Sequence, residues 1–187
     1  MKTGLIVLIV LVIVALMLGS SFVGRRNQMA VKREAVNAAW AQVDVVLQRR
    51  ADLIPNLVET VKGYAAHEKG TFEDIAKFRS QAMQATTPDG KAAAENQLSG
   101  ALKSLLAVAE NYPELKASDQ FMKLQGSLSQ TENSIGNARG YYNQVVRDLN
   151  AKTQVFPTNI MAGMFGFQAR QYFETTEADR EPVAVKF

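Results

Sequence analysis

The fold class is decided by residues 36–64, VNAAWAQVDVVLQRRADLIPNLVETVKGY. Residues that would lie on one face of a helix recur there at alternating steps of four and three, and we call this face the seam: Val36, Trp40, Val43, Leu47, Arg50, Ile54, Leu57, Val61 and Tyr64. This spacing is typical of a helix that packs in a bundle or a coiled coil. Pro55 interrupts the seam without shifting its phase, so we expect a kink at Pro55 rather than a division of the helix.

Upstream of this seam, residues 4–24 read GLIVLIVLVIVALMLGSSFVG and contain no charged side chain. About 21 residues at about 1.5 Å each span about 31 Å, which matches the hydrocarbon core of a bilayer. The run therefore predicts a transmembrane helix. Because no glycine or proline lies between Arg25 and Ile54, we expect this helix to continue directly into the first bundle helix.

The same run leaves two alternatives to a transmembrane helix, and the charges on either side of it predict an orientation. A buried core helix would need polar residues that the run lacks, whereas a cleaved signal peptide would share Lys2, the apolar stretch and small residues at its end. More basic residues follow the run (Arg25, Arg26, Lys32, Arg33) than precede it. The positive-inside rule thus favours a topology with the N-terminus outside and the bundle in the cytoplasm.

Three more helices are predicted downstream. Lys69-Gly70 should end the first helix, and Thr71 with Asp74 should start a second one. A turn is expected at Thr87-Pro88-Asp89-Gly90, a third helix should close at Tyr112-Pro113, and Ser118 should cap the fourth. The seam of the fourth helix comprises Phe121, Leu124, Leu128, Thr131, Ile135, Ala138, Tyr142, Val145 and Leu149.

The predicted fold is all-α, with an N-terminal transmembrane helix continuing into an elongated antiparallel four-helix bundle. We expect four parts: an anchor at residues 1–24, the bundle at 25–155, an apolar aromatic segment at 156–173 and a charged tail at 174–187. The aromatic segment could fold back on the bundle, lie in the membrane interface or bind a partner. Its candidate docking residues are Phe165, Phe167, Tyr172 and Phe173.

Composition excludes several kinds of chemistry. The chain has 187 residues, no cysteine and one histidine, His67, so thiolate and multi-histidine metal sites are excluded. The formal charge of +3 arises from 21 basic and 18 acidic residues that are interleaved, which argues against nucleic acid as a partner. We predict no metal, no cofactor and no catalytic residue, hence a protein that is not an enzyme.

Polar residues at or beside the seams are the remaining candidates for a site. They are Asp44, Arg49, Arg50, Asp52 and Asn56 on the first helix, and Glu132, Arg139 and Asn143 on the fourth. They could line a charged pocket for a small anion or a partner's side chain. Alternatively, they could pair with one another to set the register of the helices, which is the more common role of polar residues in bundle cores.

Three stretches of the chain resemble the LemA family of bacterial membrane proteins. They are AWAQVDVVLQRRADLIPNLVETVKGYAAHE at residues 39–68, ENYPELKASDQFMKLQGSLSQTENSIGNARGYYNQVVRDLN at 110–150, and FPTNIMAGMFGF at 156–167. The resemblance implies a single-pass membrane protein with a helical bundle and its N-terminus outside. It supplies no established activity and no catalytic residue. It implies other membrane proteins as partners, with a membrane metalloprotease among the candidates.

The function expected from these features is that of a membrane-anchored interaction or scaffold module, in membrane-protein quality control or signalling. The alternative is a self-assembling protein that shapes or organises the membrane, acting as a homo-oligomer. A third possibility, a small-ligand binder or an enzyme, would have to use Arg50, Glu132 and Arg139.

Overall fold

The computed structural model describes residues 2–173, and all regular structure in that range is helical. The helices are α1 (Lys2–Lys62), α2 (Lys69–Gln84), α3 (Pro88–Glu110), α4 (Pro113–Lys116), α5 (Asp119–Gln154) and α6 (Thr158–Phe165). The prediction of an all-α chain is thereby confirmed. The predicted charged tail, residues 174–187, lies outside the described range. The chain forms two compact units, and the boundary between them falls within α1 and within α5.

The first unit comprises Met1–Ala38 and Gln144–Arg170. Its apolar run is solvent-exposed, with Leu5 60% and Leu16 69% exposed, and within residues 2–173 α1 is the one helix long and apolar enough to cross a membrane. Further along, Met29 packs with Ala162 and Phe167 in a small apolar core.

The second unit comprises Ala39–Asn143 and Gln171–Phe187. Its core is built from apolar side chains of α1 to α5, among them Ile54, Leu57, Val61, Phe72, Ile75, Leu98, Leu102, Leu105, Leu115, Phe121 and Leu128. These residues lie at the helical spacings that make one continuous apolar face on each long helix. Burial of these faces against one another is what holds the helices together.

The direction of each helix in the second unit follows from two contacts that it makes at different positions along α1. Arg79 of α2 donates to the carbonyl of Ala51 at 2.7 Å, while Phe72 lies under Lys62, so α2 runs opposite to α1. In the same way, α5 approaches α1 through Tyr142 beside Trp40 and Glu132 beside Arg50, and also runs opposite. Lys91 of α3 contacts Asp44 of α1, and Ser99, further along α3, contacts Arg50, further along α1. The residue numbers therefore increase in the same direction on both helices, so α3 runs parallel to α1. The second unit is an up-down-up-down bundle.

Helix α1 is not divided at Pro55, in agreement with the sequence analysis, but it ends earlier than predicted. The amides of Tyr64 and Ala65 both donate to the carbonyl of Val61, which tightens the chain into a turn and buries Ala65. Tyr64 is consequently exposed and lies outside the core. Lys69-Gly70, predicted to end a helix, instead begins α2, so the prediction of a start at Thr71 was wrong.

Two other boundaries differ from prediction. Thr87-Pro88-Asp89-Gly90 is not a free-standing turn but the start of α3: the Thr87 hydroxyl accepts from the Gly90 amide at 3.2 Å, and proline occupies the first turn. Pro113 does follow the end of the third helix, but it also opens the short α4. The Ser118 cap is confirmed by a 3.5 Å contact from the Phe121 amide.

Candidate functional site

The candidate site of the second unit is built around Arg50, whose side chain is 0% exposed. One guanidinium nitrogen, Nη1, donates to the Ser99 hydroxyl at 2.9 Å and to the Glu132 carboxylate at 2.6 Å. The other, Nη2, donates to the Glu95 carboxylate and, at 3.3 Å, to the Glu95 carbonyl. We name Arg50, Glu95, Ser99 and Glu132 the Arg50 cluster; it joins α1, α3 and α5.

Burial differs sharply between the two carboxylates of the Arg50 cluster. The Glu95 side chain is 3% exposed, whereas that of Glu132 is 42% exposed. A guanidinium shielded from water needs a carboxylate partner, because an uncompensated buried charge costs several kcal/mol. Glu95 is therefore the principal counterion of Arg50, and Glu132 connects the cluster to solvent. The four hydrogen bonds that Arg50 donates all go to residues of the bundle, which matches a role in holding helix register.

Glu95 and Ser99 were absent from the sequence prediction. A signal for Glu95 was present: it stands three residues before Leu98, so it extends the α3 seam backwards by one turn. A charged residue at a seam position of one helix predicts a partner at a seam position of another. Ser99 carried no such signal, because a serine next to a seam is ordinary on a helix surface.

Four residues predicted beside Arg50 lie outside the Arg50 cluster. Asp44 pairs with Lys91 instead, and Asp52 accepts from the Gln48 side chain at 2.8 Å on an exposed face. Arg49 and Asn56 are exposed. Neighbouring positions on a helix point in different directions, about 100° apart, so closeness in sequence to Arg50 did not bring these side chains to it.

Arg139 and Asn143 lie on α5 and contact Phe173, at the end of the aromatic segment. The guanidinium of Arg139 lies 4.5 Å from the ring centre of Phe173. The Asn143 amide group donates to the Phe173 carbonyl at 3.0 Å and accepts from its amide at 2.8 Å, as a neighbouring strand would. Tyr142 adds a bond to the Gln171 carbonyl at 2.9 Å. These residues bind part of their own chain.

In the first unit, Asn150 holds Arg170 by the same pair of backbone bonds, at 2.9 and 2.8 Å. The predicted docking residues divide accordingly. Phe173 is 1% exposed and Phe167 9%, so the prediction that they offer a docking surface was wrong: the aromatic segment folds back and buries them. Phe165 at 40% and Tyr172 at 39% do keep exposed surface.

An open cavity of about 370 Å³ lies beside the Arg50 cluster, between α1, α2 and α3. We call it the bundle cavity; its lining comprises Asp44, Val45, Leu47, Gln48, Ala51, Ala82, Met83, Lys91 and Glu95. Val45 and Met83 are 68% and 48% exposed, so apolar surface meets solvent at this cavity. Across the described residues 2–173, no group of three or more His, Asp or Glu side chains is placed to hold a metal ion.

Comparison with known proteins gives a consistent result. The chain is 26% identical, over an alignment of 206 positions, to magnetosome protein MamQ 2 of Paramagnetospirillum magneticum, with 96% of this chain and 75% of that protein covered. It is 25% identical over 166 positions to protein LemA of Metamycoplasma hominis, with 87% and 74% covered. MamQ of Magnetospirillum gryphiswaldense is 24% identical over 185 positions, with 85% and 68% covered.

The names of these relatives indicate no enzymatic activity. The model of the LemA family matches residues 39–187, a range that contains the whole Arg50 cluster, the bundle cavity and α6. The chain belongs to the LemA family.

Proposed function

We propose that this protein is a membrane-anchored, non-enzymatic scaffold that binds other membrane proteins through the surface of its helical bundle. In this proposal α1 crosses the inner membrane and the bundle lies in the cytoplasm, where it serves membrane-protein quality control or signalling. A membrane metalloprotease is one candidate partner. The uncharged run at residues 4–24 supports the anchor, and the basic residues that follow it support the orientation.

The observation that carries the proposal is the bundle cavity. Its volume of about 370 Å³ is enough to accept one or two side chains of another protein. Val45 and Met83 offer apolar contact there, and a flexible methionine can adapt to differently shaped partners. The charges at the cavity, Lys91 with Asp44 and Glu95 with Arg50, are paired within the bundle, which favours a binding surface over a reactive site.

Site-specific photo-crosslinking in native membranes tests the binding surface. We would place a photoreactive residue at Met83 of the full chain and a matched one at Gln97, which is exposed on α3 outside the cavity. We expect a discrete adduct from Met83 that is absent from Gln97 and is lost in a Val45→Lys background. Absence of that adduct, or the same adduct from both positions, would overturn the proposal. An adduct between two copies of this chain would replace it with the self-assembly alternative.

Labelling of an introduced cysteine tests the orientation independently. The chain has no cysteine, and Gln130 is exposed on α5, so Gln130→Cys provides one reactive thiol in the bundle. We expect a membrane-impermeant thiol reagent to label Gln130→Cys only after the cells are permeabilised. Labelling in intact cells would place the bundle outside the cytoplasm and leave the cross-linking result unaffected.

A further inference from the structure

We propose that α6 is an interfacial helix whose exposed apolar side chains insert into the phospholipid leaflet from which α1 emerges. The α6 apolar face consists of Val155, Phe156, Ile160, Met164 and Phe165. This inference goes beyond the scaffold function and rests on one part of it only, namely that α1 crosses the membrane. The occupant we assign to the α6 apolar face is lipid, at the boundary between head groups and acyl chains.

The first observation is that α6 carries large apolar side chains on its exposed side as well as on its buried side, and its one exposed polar side chain is Asn159. Met161 and Ala162 face inward and are 4% exposed, but Ile160 and Met164 are 56% and 67% exposed. Phe156, just before the helix, is 75% exposed. A helix of a soluble protein normally presents polar residues on its outer side, whereas a helix that is apolar all round is surrounded by protein or by lipid. Lipid would remove this apolar surface from water.

The second observation is the position of α6 in the first unit. A cavity of about 320 Å³ is lined by Leu18, Ser21, Phe22 and Arg25 of α1 and by Pro157, Ile160 and Met161. The rings of Phe22 and Phe165 lie 5.6 Å apart. Phe22 stands near the end of the uncharged run at residues 4–24. If that run crosses the bilayer, α6 lies at the depth where the run leaves it, so its apolar face continues the lipid-facing surface of α1.

The third observation is the distribution of charge. Residues 153–169 carry no charged side chain, so α6 can enter the interface without taking a charge out of water. The nearest cations are favourably placed: Arg25 lines the cavity, and the Arg26 guanidinium lies 5.6 Å from the ring centre of Phe165. Arginines at this depth can bind lipid phosphates while their apolar stems remain beside acyl chains.

Depth measurement on the reconstituted full chain tests the assignment. We would label Ile160→Cys and Met164→Cys with an environment-sensitive fluorophore, in vesicles of phosphatidylcholine and phosphatidylglycerol. The control labels are Leu8→Cys within the apolar run and Gln130→Cys on the bundle, and all four positions are exposed, so helix content should not change. We expect the two α6 labels to be quenched by nitroxides on the lipid and shielded from aqueous iodide, at a depth of about 5–10 Å.

Other labelling results would overturn either the α6 inference alone or the membrane anchor itself. Iodide quenching of the α6 labels equal to that of the Gln130→Cys label would overturn the inference. So would protection from both iodide and lipid nitroxides, because a protein would then cover the α6 apolar face. If the Leu8→Cys label itself is in water, the membrane anchor fails, and with it the proposed function. If Leu8→Cys is in lipid and the α6 labels are in water, only the α6 inference fails.

Discussion

Replacement of Glu95 by glutamine tests the central electrostatic feature of the bundle. The change keeps the size of the side chain but removes the principal counterion of Arg50, which is 0% exposed. Breaking one side of a buried ion pair costs about 3–5 kcal/mol. Because Glu132 and Ser99 still bind Nη1, at 2.6 and 2.9 Å, we expect Glu95→Gln to lower the free energy of unfolding by about 3 kcal/mol, the lower end of that range.

Thermal unfolding followed by circular dichroism is the assay, with all variants in the same detergent micelles. For a unit of this size, a loss of about 3 kcal/mol corresponds to a fall of about 10 °C in Tm. Glu132→Gln is the matched control: its carboxylate also binds Arg50 but is 42% exposed, so we expect a loss of about 1 kcal/mol or less. The double variant Arg50→Met/Glu95→Leu should recover most of the lost stability, because it leaves no unpaired buried charge: the one carboxylate that loses its partner, Glu132, is 42% exposed to solvent.

Either of two results would contradict the roles assigned to the two carboxylates. The first is a Tm for Glu95→Gln that is no lower than that of Glu132→Gln, because burial would then not distinguish the two carboxylates. The second is a double variant that is less stable than Glu95→Gln. That result would mean that the Arg50 cluster supplies net stabilisation rather than register alone.

Three further tests concern the packing and the helix capping of the second unit. Asn143→Ala removes both hydrogen bonds to the Phe173 backbone, so we expect the free energy of unfolding to fall by about 1–3 kcal/mol and proteolysis of the aromatic segment to become faster. Unchanged proteolysis would contradict the contact. Ile54→Ala opens a cavity in the core and should lower the free energy of unfolding by about 2–5 kcal/mol. Its control, Val45→Ala at the surface, should lower it by under about 0.5 kcal/mol. Equal melting temperatures for the two variants would count against the assigned core. Thr87→Ala removes the cap of α3 and should cost about 1 kcal/mol by the same melting assay, with no loss if Thr87 were an ordinary turn residue.

The long helices were predictable because their signal is local and repeated. The seam of α1 is buried as predicted at Val36, Val43, Leu47, Arg50 and Ile54, since a helix has a fixed period and one side must face the core. On α5 the predicted seam is off by one position near its end, where Val146 is fully buried and Val145 only partly, although the last seam residue, Leu149, is buried as predicted. A strict step of three and four does not follow 3.6 residues per turn without such corrections.

Helix ends were less predictable because several local signals compete at each one. Thr87-Pro88-Asp89-Gly90 is equally compatible with a turn and with a helix start, and only the extension of α3 behind it selects the second. Lys69-Gly70 resembles a helix end, yet α1 had already ended at Lys62, where the chain turns to bury Ala65. In both cases packing elsewhere decides what a short motif becomes.

Three properties could be read from the sequence alone: the chain is all-α, it carries an uncharged run long enough to cross a membrane, and Arg50 lies on a packed seam. These properties depend on periodicity and composition, which any short stretch of chain expresses without reference to the rest. Two other properties follow from the packing of the helices: Glu95 is the principal counterion of Arg50, and Phe173 is buried while α6 keeps an exposed apolar face. Each of these depends on which helices approach one another, because burial and ion pairing are properties of neighbours that are distant in sequence.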